Sequence, residues 1–216
     1  MVSDSSRIES LPGRRERRKA DTRRRLLAAA RVLFVEKGYD ATRPQDIAQA
    51  ADVAAGTFYV HFAHKRDAFL AFTEEVSDEL AARFSERVSG AKNFASMLDQ
   101  ALQALCDYSE AHPGVLSAVF ADAAVCAAEL PRGTSLRERL GKSLASTLRL
   151  AMDSGAIHAD VDPELIAHGT LGFIHSALVH ASGRSLDRRS VLDDLERFLV
   201  RALVVRRPDA PSEKDS

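Results

Sequence analysis

Cysteine is scarce in this chain. Only Cys106 and Cys126 occur, too few for a disulfide scaffold and in keeping with a reducing compartment. Nowhere do about 18 apolar residues follow one another, the length an ordinary membrane-spanning helix requires, so no membrane is expected among the partners. The opening residues MVSDSSRIESLPGRRERRK are basic but lead into no apolar run, unlike a secretory signal. A cytoplasmic location is the expectation. Strand-like alternation is missing and β-branched runs are short, which predicts an all-α fold. No Ser-His-Asp order, glycine-rich phosphate loop or ligand-spaced Cys/His set is present, so no cofactor or bound metal is expected and an enzyme finds little support.

What the chain does have is a core and a charge asymmetry. Its 216 residues are 45% hydrophobic, enough to bury a sizeable interior. The net charge of −1 conceals a division. Residues 1–67 hold 14 Lys+Arg against 9 Asp+Glu, leaving 16 against 22 for the remainder. The segment GRRERRKADTRRR alone carries eight basic and two acidic residues. A basic end on an acidic remainder suits an N-terminal part that meets polyanion, although a charge run alone equally describes a solvated tail.

Residues 1–13, polar and ended by Pro12-Gly13, read as a disordered tail, as do residues 207–216. From Arg14 the pattern turns helical, with Leu26, Leu27, Ala30, Leu33 and Phe34 at helical spacing and Gly38 as a stop. Pro44, with its fixed φ, suits the first turn of a short helix that runs to about Ala51. Asp52 occupies the following turn, where a left-handed conformation is expected. A second short helix covers about Ala55 to His61. A long one runs from Lys65 to about Val88, burying Ala68, Phe69, Phe72, Val76, Leu80 and Phe84, with no flexible linker before it. Further helices are predicted near 93–111, 115–128, 134–154, 163–182 and 187–206. Asp162-Pro163-Glu164 reads as a cap, a proline at the first helical position and an acid near the helix dipole.

The stretch RPQDIAQAADVAAGTFYVHFAHK, Arg43 to Lys65, carries most information. Two short helices cannot each bury an apolar stripe alone, so Ile47, Ala48, Ala51, Val53, Phe58 and Phe62 must share a miniature core. Gln45, Thr57, Tyr59 and His61 are left facing outward, the arrangement by which a helix-turn-helix presents a helix to the DNA major groove. The pattern T-R-x-x-L-L-x-A-A-x-x-L-F-x-x-x-G-Y over Thr22–Tyr39, followed by D-I-A-x-x-A-x-V and G-T-F-Y-x-H-F-x-x-K, resembles the DNA-binding domain of TetR-family transcriptional regulators. The likeness is dense over about residues 20–70. It is loose beyond, in length, helical pattern and the segment SGAIHADVDPELIAHGTLGF. It implies a three-helix DNA-binding domain over 14–64 and a helical ligand-binding and dimerisation domain over 65–206. It further implies a homodimer on a double-stranded DNA operator, most often a repressor, released by a small-molecule effector. Departures from the family pattern are Asp52 in place of the usual Gly, Ala54 and Ala55 in place of a polar and basic pair, Arg43 where Thr or Ser is common, and His64 in place of a better helix cap.

Lys65 is the expected phosphate clamp, joined by the backbone at Gly56, which permits close approach, and by Arg43. The resemblance places Tyr59 and His61 on the DNA backbone, with partial burial as the alternative for Tyr59. Gln45 and Thr57 are the candidates for base edges, through adenine N6/N7 and a thymine methyl. Residues Arg14 to Arg25 could form an arm reaching the minor groove or backbone. Pocket candidates inside the C-terminal bundle are Leu102, Cys106, Phe120, Met152, His168 and Phe173, each also compatible with ordinary core. With few buried charges in prospect, an apolar or aromatic effector is expected. Leu171, Ile174 and Leu178, with Leu195, Leu199 and Leu203, form stripes suited to a four-helix dimer contact or to packing within one copy. His158, Asp160 and Asp162 offer metal-type donors, yet fall in a turn. Cys106 and Cys126 read as inert thiols rather than a redox pair. An all-α enzyme using the 158–162 segment and a nonspecific nucleoid-type binder using the basic arm are the rival readings.

Overall fold

The computed structural model describes residues 13–120, 136–184 and 186–204. Among these the regular structure is helical: α1 (Arg14–Ala41), α2 (Pro44–Ala50), α3 (Ala55–His61), α4 (Lys65–Val88), α5 (Phe94–Ala111), α6 (helical over 115–120), α7 (Leu136–Asp153), α8 (Pro163–Gly183) and α9 (Arg188–Leu203). The nearest thing to a strand is one antiparallel bridge, Ile157 to Val204. The all-α expectation holds. The second half of the helix predicted over 115–128, both predicted tails almost entirely, and Cys126 lie outside the described residues.

Two compact units divide within α4, one ending at Phe72 and the other beginning at Thr73. In the first, an aromatic cluster forms the core. The Phe34 ring is edge-on to Phe69 at 5.2 Å and stacks on Tyr39 and Phe72 at 5.9 and 6.1 Å. Leu26, Ala30, Ile47, Ala48, Phe58 and Ala68 are completely buried around it. α1 is broken at Gly38, whose φ of 78° is open to glycine at little cost. The Thr42 hydroxyl then donates to the carbonyls of Gly38 and Leu33, at 2.8 and 3.2 Å, and fixes the corner.

In the second unit, one apolar cluster joins Leu98 and Leu102 of α5, Ile174 of α8, and Leu192, Leu195 and Leu199 of α9. Another joins Phe94, Ala145, Leu148, Ile157 and Ala167. Helix starts are capped as their sequences demand. Asn93 accepts from the Ser96 amide at 2.8 Å, Asp162 from Leu165 at 2.8 Å and Asp187 from Ser190 at 3.0 Å. The Ser190 bonds hold the Asp187 carboxyl below its usual range. The fully buried Tyr108 donates its hydroxyl to Glu79 at 2.5 Å.

Helices α7 and α8 interlock through reciprocal notches. A methyl built on Gly141 would lie 2.4 Å from the His168 ring, and one on Gly172 3.1 Å from an Arg137 guanidinium nitrogen. Position 141 faces 168 and position 137 faces 172, the register of an antiparallel pair. Each large side chain occupies the space a glycine leaves.

Candidate nucleic-acid interface

Arg43 caps α2 in extended backbone and Pro44 opens the helix. Ala51 closes it, and Asp52 then takes a φ of 53°, the left-handed turn expected from sequence. The Val53 amide donates to the Ala48 carbonyl at 3.0 Å and reverses the chain. A side chain from α1 secures this turn: Arg25 donates to the carbonyls of Ala51 at 2.5 Å and Asp52 at 3.1 Å. It also lies 3.6 Å from the exposed Asp52 carboxylate. The Val53–Ala48 bond and the Asp52 amide bond to Gln49 at 3.0 Å are those of a glycine-type cap, and the guanidinium adds a donor for the carbonyls that follow. Asp52→Gly is expected to relieve the left-handed strain while keeping both Arg25 bonds. Urea denaturation should show a gain of up to about 1 kcal/mol.

Phe58 is buried completely, with Tyr59 edge-on at 5.4 Å and Phe62 at 5.5 Å. That phase turns Ala55, Gly56, Tyr59 and Val60 to the outside, with Tyr59 at 52% and Val60 at 68% exposure. Gln45 is exposed on α2, beside Gln49, and both line an open hollow with Asp52, Val53, Ala54 and Ala55. A methyl at Gly56 would meet no protein atom within 4 Å. Thr57, placed outward from sequence, is half-buried, and so is Val53, placed in the core. Val60 and Gln49 are outward residues the sequence reading did not single out; for Val60 the phase fixed by Phe58 and Phe62 was the available signal, and for Gln49 that of Ile47 and Ala48.

His61 is half-buried. Its Nδ1 is enclosed without a hydrogen-bond partner among the described residues. Burial, then the charges of Lys19 and Arg23, lower its pKa below 6.5. Arg23 lies over the Phe62 ring at 4.4 Å. These contacts correct the expectation of an arm. Residues 14–25 are the beginning of α1, in regular helix, and two of its arginines brace α3 and the turn. The basic residues from Arg14 to Lys19 are exposed along it. Lys65 has contacts within the chain that its sequence did not announce. Its Nζ donates to the carbonyls of Tyr39 at 2.7 Å and Asp40 at 3.3 Å and lies 4.2 Å from the Tyr39 ring centroid. In the free chain the ammonium clasps the end of α1, with two of its three donors so engaged.

The six pocket candidates do not share one setting. Leu102 is core, with Cys106 packed against the same cluster, and Met152 belongs with the other cluster. Phe120 faces the His175 imidazole at 4.9 Å, where burial and Arg137 lower the His175 pKa. His168 is the wedge over Gly141. Phe173 is corrected outright: it is 41% exposed and faces Phe198, itself 56% exposed, at 5.0 Å. The dimer stripes also turn inward. Ile174, Leu195 and Leu199 are buried within one copy; Leu178 packs on their cluster, Leu203 on the other, and Leu171 is half-buried. The described residues contain no group of three His, Cys, Asp or Glu side chains able to hold a metal. No helix among them is long and apolar enough to cross a membrane.

Comparison with known proteins agrees with this geometry. Over 144 residues the chain is 28% identical to the HTH-type transcriptional repressor KstR2 of Mycobacterium tuberculosis, spanning 65% of this chain and 72% of that protein. It is 33% identical over 86 residues to the HTH-type transcriptional regulator TcmR of Streptomyces glaucescens, 40% of this chain and 38% of that one. A TetR transcriptional regulator from Chloroflexus aurantiacus has the same fold, with a TM-score of 0.70 at 20% identity over 88% of this chain and 100% of that one. Thermus thermophilus FadR, a TetR-family repressor, gives 0.63 at 20% identity over 88% and 99%. These relatives are regulators, not enzymes. Residues 26–72 match the family of bacterial regulatory proteins described as the tetR family, and the chain belongs to that family of helix-turn-helix, DNA-binding transcription regulators.

Proposed function

We propose that this regulator binds a palindromic operator as a homodimer, acts as a repressor, and is released by a small-molecule effector. The observation that carries the reading is the braced α2–turn–α3 unit, whose reading helix turns Tyr59 and Val60 to solvent. One helix of seven residues reaches only a few base pairs, too little to select a genomic site. Two copies related by a two-fold axis read an inverted repeat. Selection of bound fragments from random or genomic DNA tests this, with random-DNA competition at fixed salt. An inverted repeat is expected; equal competition by random DNA, as for a nucleoid-type binder, would defeat the reading.

The dimer surface is supported by α8. No Asp, Glu, Lys or Arg occurs in it after Glu164, and its apolar residues are spread round the helix rather than gathered in one stripe. A helix of that kind is normally covered all round. Its inner side packs in the bundle, while Leu165, Gly169, Phe173 and Ser176 stand exposed at helical spacing. Phe198 of α9 extends the patch. A second copy is the proposed cover.

For the effector, the support is the apolar interior of the second unit and the lauroyl-CoA held by the similar Thermus protein. A ligand with a large apolar part is proposed. Because α4 is one unbroken helix, a shift in its C-terminal half can reach the reading helices, and coupling of about 1–3 kcal/mol suffices to weaken operator affinity appreciably. Cross-linking α4 in place, with effector affinity intact, should abolish induction.

Gly56→Ala isolates the role of backbone approach. The added methyl touches nothing in the protein, so thermal unfolding should move little. Operator affinity should fall about tenfold, a loss of about 1.4 kcal/mol, if α3 lies against the duplex. An unchanged affinity, read by fluorescence anisotropy, would place Gly56 away from DNA.

A further inference from the structure

The outward surface of α3 has a consequence for which base pairs it can recognise. Ala55, Gly56, Tyr59 and Val60 form it, continued by Ala54 before the helix and Ala63 after it, all exposed. No charged side chain and no amide stands on it. Its polar groups are the tyrosine hydroxyl and, at its margins, the half-buried Thr57 hydroxyl and His61 imidazole, with His64 exposed beyond the helix. Val60 serves no core, because Phe58 and Phe62 fill that role on the opposite side.

Major-groove base edges present donors and acceptors, with one apolar exception, the C5 methyl of thymine. Methyl groups pressed against a donor or acceptor desolvate it without offering a hydrogen bond, which is costly. Against a thymine methyl, the same groups remove apolar surface from water on both sides. Gln45 and Gln49, which line one hollow with Ala54 and Ala55, suit the adenine of such a pair, since glutamine amides match adenine N6 and N7.

We infer that the chain reads thymine C5 methyls through Val60 and Ala55, so each operator half-site places an A·T pair with its methyl against α3. This rests on the regulator reading above and names the chemistry it reads.

The test uses the full chain and the duplex recovered by selection from a random pool, resynthesised with deoxyuridine in place of thymidine. That change deletes the C5 methyl and keeps Watson–Crick pairing. Affinity should fall about fourfold for each contacted methyl removed. Val60→Ala should weaken binding to the thymine duplex by a similar factor yet cost nothing further on the uracil duplex, because both changes remove one contact. Val60 is exposed, so unchanged thermal unfolding certifies the variant. Equal affinity for the two duplexes overturns the inference, as does a loss for Val60→Ala that is the same on both. A chain that selects no sequence at all fails the regulator reading, and this inference with it. A chain that selects an inverted repeat yet ignores uracil fails here alone.

Discussion

A chain carrying Phe173→Asp together with Phe198→Asp is expected to run as a monomer and to lose about two to four orders of magnitude in operator affinity. Both rings lie on the surface of one copy and face each other at 5.0 Å. Neither ring belongs to the buried core of that copy, and unchanged thermal unfolding would certify the doubly substituted chain. In a symmetric contact each patch meets its own image, so the variant sets four added charges against one another in a dehydrating interface, where unpaired charge is expensive. The loss on DNA follows from tethering. The second half-site is filled at the high effective concentration that dimerisation provides, and separate monomers forfeit it. Light scattering after size exclusion reads the assembly state, and anisotropy reads the affinity. A variant that stays dimeric moves the interface elsewhere. One that becomes monomeric yet binds the operator as before removes the two-copy mechanism.

Phe34→Ala should cost the first unit about 3–5 kcal/mol. The ring is fully buried and touches Tyr39, Phe69 and Phe72, so its removal opens a hole at the junction of α1 and α4. Domains are stable by only about 5–15 kcal/mol in total, and a unit of this size stands near the low end. Amide exchange over residues 26–72 should accelerate toward that of an unfolded chain while the second unit keeps its protection, and operator binding should vanish with it. Unaltered exchange in residues 26–72 would show that the aromatic cluster is not what holds the unit together.

Much of this was legible beforehand. Helix limits followed from local chemistry: Pro44 at a first turn, Asp162 and its proline before α8, and the left-handed Asp52. The sequence failed where a side chain's partner is distant in the chain. The charges of Arg25 and Lys65 are visible in the sequence, whereas the carbonyls of Ala51 and Tyr39 that they meet within the chain are not. On α8 and α9 periodicity marked apolar stripes but could not say who covers them. Ile174, Leu195 and Leu199 proved to be interior, and Phe173 and Phe198 exterior. A helix whose apolar residues are spread round it, as in α8, carries little phase from which to choose. Thr57 was placed outward because it lies beside the buried Phe58, yet its position on a short helix leaves it half-buried.

The notch between α7 and α8 binds the fates of two positions 27 residues apart in the chain, 141 and 168. A methyl at the first requires the imidazole at the second to swing out of the notch or be trimmed. Random mutagenesis with selection for a folded product should therefore recover larger side chains at 141 chiefly in company with a small one at 168.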